Sequence, residues 1–148
     1  MKTIRKTVLI NTTTQAVWDT LTTPALIQQW THDTPVEIQT DWKVGSPLIM
    51  SGDLHGILFS NSGSILAFDP DTKLSYSFLS SLSNLPDIAE SYCILEFNLI
   101  PEDHRTRLDF TISNFPDLVI RKHLELYWGP TLELIRKKAE NYGYKPNS

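Results

Sequence analysis

The last long segment of the chain limits its fold more than any other feature. From Leu118 to Tyr142, the residues Leu124, Trp128, Leu132, Ile135, Ala139 and Tyr142 recur at steps of three and four, while Arg121, Lys122, Glu125, Glu133, Arg136, Lys137 and Glu140 fall on other faces. This spacing predicts one long amphipathic helix whose apolar stripe must be covered by the rest of the chain. Pro130 lies inside it, where a proline removes one backbone hydrogen bond and bends the axis near Gly129, unless two helices meet there. A bent helix of this kind curves around a sheet.

The strands of that sheet are legible between Val36 and Ile112, where short alternating runs are punctuated by Gly, Pro, Asp and Ser in the manner of an antiparallel meander. Val36, Ile38, Thr40 and Trp42 share one face. The clearest strands carry Leu74, Tyr76 and Phe78, then Cys93, Leu95, Phe97 and Leu99, then Leu108, Phe110 and Ile112. Lys43 to Ser46 and Pro70 to Lys73 read as turns, because Gly45 can take positive φ and Pro70 presets its own. A four-residue loop, Pro101 to His104, joins the last two strands and brings Glu96 diagonally near Arg107. Ser80 to Ala89, rich in Ser, Asn and Pro, is the longest connection and reads as a mobile lid or binding edge. Ahead of the meander, Thr3 to Ile10 alternates as a half-buried strand. Thr12 and Gln15 have capping-box spacing for a short helix through Val17, Trp18 and Leu21. Pro24 suits the first turn of a second helix bearing Leu26, Ile27 and Trp30.

Composition then excludes several functions. A length of 148 residues predicts one domain spanning 1–148. The net charge of -4 provides no positive field for phosphates, which argues against nucleic acid and anionic membrane surfaces as partners. Aliphatic and aromatic runs such as Ile65 to Phe68 are far too short to span a bilayer. Lys2, Arg5 and Lys6 precede an apolar stretch that ends at Ile10, so no secretory signal forms and a soluble, cytoplasmic protein is expected. Cys93 is alone and has no partner for an internal disulfide. His32, His55, His104 and His123 show no metal-ligand spacing, and neither a glycine-rich phosphate loop nor a Gly-x-Ser-x-Gly elbow occurs, so no metal or cofactor is expected. Asp41, Asp53, Asp69, Glu90, Glu96 and Asp109 form no persuasive acid–base dyad.

Strand, two short helices, antiparallel strands and a long C-terminal helix is the helix-grip order, an α+β class. Ala16-Val17-Trp18, Leu21-Thr22, Pro24 and Trp30 occur in order near the start, followed by Asp41 to Ser46. Gly63 to Tyr76, with Asp69-Pro70 and Leu74, comes next, then Thr106-Arg107-Leu108, then Trp128, Leu132 and Ile135. On these motifs the chain resembles the SRPBCC superfamily, which contains START and birch-pollen-allergen-like domains, and within it small proteins similar to the activator of heat shock protein 90 ATPase. The resemblance runs from Thr12 to about Glu140. It implies a curved sheet wrapped around the C-terminal helix with a cavity between them.

Strand parity nominates Trp42, Tyr76, Phe78, Cys93 and Phe110 as lining that cavity. His123 and Tyr127 join them from the helix flank, and Trp30 stands at the entrance. Tyr76 and Tyr127 are the more informative, since a buried hydroxyl needs a partner that a ligand could supply. The leading expectation is a non-enzymatic binding protein for a small hydrophobic or aromatic molecule, monomeric or homodimeric. One alternative is contact with a chaperone, as in the heat shock protein 90 ATPase activator. That co-chaperone engages its partner through an additional N-terminal domain, whereas this chain opens directly at the helix-grip segment. The other alternative is a cyclase- or hydrolase-type enzyme with His123 or Tyr76 in proton transfer.

Overall fold

The computed structural model describes residues 2–31 and 34–144. Its elements run β1 (Ile4–Ile10), α1 (Thr14–Thr22), α2 (Pro24–Thr31), β2 (Val36–Thr40), β3 (Pro47–Leu54), β4 (Ile57–Asp69), β5 (Lys73–Ser80), β6 (Cys93–Glu102), β7 (Arg105–Ser113) and α3 (Leu118–Gly143). Two short 3-10 turns, Ser81–Ser83 and Ala89–Ser91, lie between β5 and β6. The strands form one antiparallel sheet in the order β1-β7-β6-β5-β4-β3-β2. After β1, the two short helices carry the chain to the far edge. The strands then return one neighbour at a time until β7 lies beside β1, with Ile4 opposite Ile112.

Alternation decides which face α3 covers. In β6 and β7 every second residue is buried, from Cys93 to Leu99 and from Thr106 to Ile112. The helix answers with Leu124, Trp128, Leu132, Ile135 and Ala139. Between them the rings of Phe97, Phe110 and Trp128 pack at centroid distances of 4.8 Å and 4.7 Å, and Trp30 of α2 reaches Trp128 at 6.2 Å. The Trp30 indole N–H donates to the Thr20 carbonyl at 2.9 Å, so the buried ring carries no orphaned donor. Val17, Leu21 and Ile27 join the same core.

Several details depart from the sequence reading. The cap of α1 is Thr13, whose hydroxyl accepts from the Ala16 N–H at 3.1 Å. Thr12 is buried instead, and its carbonyl accepts from the Thr106 hydroxyl at 2.9 Å. Three consecutive threonines leave such a cap ambiguous by one residue. β6 and β7 pair as far as Glu102 and Arg105, so the connection is a two-residue turn with Asp103 at φ 57 and not a four-residue loop. That register puts Glu96 opposite Thr111, away from Arg107. Glu96 binds Lys73 at 3.2 Å, while Arg107 binds Glu102 at 2.7 Å and Asp109 at 3.3 Å. The hydrogen bond from Asn98, with Lys73 beside it, holds the Glu96 carboxyl below its usual range. α3 remains one helix through Pro130, since Trp128 before it and Leu132 after it are anchored in the same core. Tyr142, expected on the apolar stripe, is half exposed, and its hydroxyl donates to Asp19 at 3.1 Å.

Candidate ligand-binding site

A cavity of about 420 Å³ opens under the N-terminal half of α3, toward the β2–β5 side of the sheet. This lies within the range of roughly 300–1,000 Å³ typical of small-molecule sites. Each wall follows from an element already described. β5 and β6 contribute Tyr76, Phe78 and Cys93 from their inward parity. α3 contributes Ile120, His123, Leu124, Tyr127 and Trp128, one helical face over two turns, and the end of α2 contributes Trp30 and Thr31. β2, β3 and β4 supply Val36, Met50, Leu54, Phe59 and Asn61, while Leu82, Ser83 and Leu85 of the β5–β6 connection close the remaining side.

Six of the eight residues nominated from sequence therefore meet around one space. Trp30 is one of them, although it forms an inner wall buried against Trp128 and not the entrance. Two nominated residues lie elsewhere. Phe110 is fully buried between Phe97 and Trp128, because α3 crosses directly over it and leaves no gap. Trp42 lies beyond the end of β2 at φ 55, where its ring packs 5.7 Å from Phe68 beside a crevice with no room for a water molecule. The lining residues of β2–β4 were not nominated from sequence, whereas the Ser80–Ala89 connection was read as a lid or binding edge without its individual lining residues. Val36 and Met50 could have been found by alternation, but Leu82 and Leu85 sit in irregular backbone that has no periodic signal.

The chemistry of the walls is nearly uniform. No Asp, Glu, Lys or Arg lines the cavity among the described residues, and the lining is predominantly apolar and aromatic. His123 sits at the exposed rim of the cavity. Cys93 is 2% exposed, and burial, reinforced by the negative charge of Asp117, pushes its thiol up to about 11, so at neutral pH it is a small apolar wall residue. Tyr76 is 6% exposed and stacks on Phe97 at 6.2 Å. Burial, with Tyr127 nearby, raises its pKa well above the ordinary tyrosine value, so the phenol stays protonated. The Tyr127 hydroxyl makes a long 3.4 Å donation to the Thr31 carbonyl, and Thr31 Oγ1 is buried without a partner among the described residues.

The covering connection is tied down at several points. The Ser60 N–H donates to Ser81 Oγ at 2.9 Å, Ser83 Oγ donates to the Ser80 carbonyl at 2.7 Å, and the Tyr92 hydroxyl donates to Asp87 at 2.5 Å. His104 lies exposed in the β6–β7 turn, and His32 lies outside the described residues. No group of three or more His, Cys, Asp or Glu side chains comes together to hold a metal among the described residues, and no helix there is long and apolar enough to cross a membrane.

A curved antiparallel sheet gripping a long C-terminal helix, with an apolar cavity between them, defines a helix-grip domain of the SRPBCC type, a ligand-binding class of domain. Residues 11–140 match the family described as Activator of Hsp90 ATPase homolog 1-like protein, and the chain belongs to that family. The solution structure of ChR145 from Cytophaga hutchinsonii is similar, with 28% identity, 95% of each chain covered and a TM-score of 0.80. CV1439 from Chromobacterium violaceum shares 17% identity over 95% of this chain and 99% of its own, with a TM-score of 0.77. The Aha1 dimer from Colwellia psychrerythraea shares 18% identity over 95% of this chain and 97% of its own, with a TM-score of 0.74. At these lower identities the likeness concerns the fold. No curated protein matches the sequence.

Proposed function

We propose that this protein binds a small, mostly apolar molecule in the cavity beneath α3. The observation that carries this reading is a space of about 420 Å³ walled mainly by aliphatic and aromatic side chains, with no Asp, Glu, Lys or Arg among the described lining residues. Transfer of an apolar molecule from water into such a space is favourable in proportion to the area it buries, roughly 25 cal/mol per Å² before the costs of association. Phe78, Leu124 and Trp128 would desolvate the ligand, while Tyr76 and Tyr127 would orient it. A cyclase or hydrolase mechanism would place proton transfer on His123 or Tyr76, both of which line the same space, and no carboxylate lines it among the described residues. Native mass spectrometry of the protein purified from its own host tests the proposal. A discrete added mass that disappears on denaturation is the expected result. A bare polypeptide mass that a library of hydrophobic compounds leaves unshifted would overturn it.

A second reading, contact with another protein, draws on family membership and on the outer side of α3. Val119 and Leu126, one heptad apart, are 75% and 78% exposed there. Addition of the protein to purified Hsp90 tests this reading. An ATPase rate raised at least twofold, and returned to baseline by Val119→Glu with Leu126→Glu, would support it, whereas an unchanged rate would remove it.

A further inference from the structure

The polar groups of the cavity define its ligand more narrowly than size does. Tyr76 is 6% exposed as a residue and lines the cavity, and its hydroxyl has no protein partner among the described residues, which leaves it facing the cavity space. A phenolic hydroxyl that faces a cavity without a protein partner is free to donate to whatever fills that cavity. Its neighbours on the ladder, Leu95 and Ile65, offer only backbone groups. The nearby Tyr127 hydroxyl is directed to the Thr31 carbonyl. With no Lys or Arg on the described walls, a carboxylate or phosphate would lose its hydration and gain no counter-ion; with no Asp or Glu, an ammonium would fare equally badly.

Resting on the small-molecule reading above, we infer that the cavity selects an uncharged ligand bearing a hydrogen-bond acceptor, such as a carbonyl oxygen on an apolar frame, and that the Tyr76 hydroxyl donates to that acceptor. The phenol is suited to this role because burial keeps it protonated through the physiological pH range. His123, the one imidazole in the described lining, stands at the exposed rim of the cavity.

Equilibrium dialysis with three probes of one shape tests the inference. These are 2-acetylnaphthalene, its isostere 2-isopropenylnaphthalene in which a methylene replaces the carbonyl oxygen, and the anion 2-naphthoate. In Tyr76→Phe the affinity ratio of ketone to alkene is expected to fall about fivefold, the usual worth of one neutral hydrogen bond. Alkene affinity should remain within twofold. The wild-type protein should bind 2-naphthoate at least tenfold more weakly than the ketone. A ratio unchanged by Tyr76→Phe, or naphthoate binding as tight as the ketone, would overturn the inference while leaving cavity binding intact. Failure of both neutral probes to bind would remove the small-molecule reading along with it. Without ligand, Tyr76→Phe should melt no lower than wild type, since it deletes a hydroxyl without a partner. A clear drop in Tm would show that the hydroxyl is already bonded within the fold, which also overturns the assignment.

Discussion

Trp128→Ala is expected to lower folding stability by about 3–5 kcal/mol, the usual cost of truncating a buried tryptophan. Trp128 is 6% exposed and is the ring at which three packing systems meet. It lies against Phe110 at 4.7 Å and Phe97 at 6.0 Å from the sheet, Trp30 at 6.2 Å from α2, and Tyr127 at 5.5 Å on its own helix. Its removal would join the cavity to the core, and the surrounding strands, already paired on both sides, could relax only partly into the space. Urea denaturation checks the prediction. With a slope of about 1–3 kcal/mol per molar urea, the midpoint should fall by roughly 1 M or more. A loss below about 1 kcal/mol would mean that α3 can settle onto the sheet without this ring, contrary to the anchoring role given to it here.

The second large effect concerns a glycine in a strand. A methyl group added at Gly63 of β4 would lie 1.8 Å from the Ser77 carbonyl oxygen and 2.4 Å from its carbon, both backbone atoms of β5. Ladder pairing is interrupted here between Ser62 opposite Leu79 and Ile65 opposite Tyr76, and the Ser64 N–H donates to the Ser77 side chain at 2.9 Å. Gly63→Ala must therefore move one strand away from the other and break that bond. It is expected to cost about 2–4 kcal/mol, at the upper end for overpacking because no flexible side chain can yield. Gly129→Ala provides the contrast, since its methyl would meet only Lys6 Nζ at 4.0 Å. Thermal melts of the two variants should separate clearly. Equal Tm values would show that β4 and β5 are not held as closely as described.

Much of this architecture was legible because alternation and helical spacing are local signals. The inward sets of β5, β6 and β7 and the stripe on α3 could be written down from the sequence. Parity reports which face a side chain takes, but not what lies above it. Phe78 and Phe110 have the same inward parity, yet the first lines the cavity and the second is sealed under Trp128. The difference is where α3 crosses the sheet, a fact no short segment contains. β4 hid its contribution for another reason. Its 13 residues include a register shift between Ile65 and Ala67, and Ile57 and Leu58 are both exposed, so no clean alternation marks Phe59 and Asn61 as inward. Trp42 misled because the period of two was extended past a strand that ends at Thr40.

The pairing of β1 with β7 also bears on how the chain acquires its structure. Among the described residues, Ile4 to Ile10 find their only ladder partners at Thr106 to Ile112, about a hundred residues later, a separation that makes the closing contact slow to form. During synthesis β1 is made long before the strand it pairs with. Until β7 emerges, Ile4, Val8 and Ile10 remain on an open edge, with neither the neighbouring strand nor α3 to cover them. Sheet closure and helix docking are thus coupled to the final third of the chain, and any delay there prolongs the interval in which an uncovered strand can pair with another molecule.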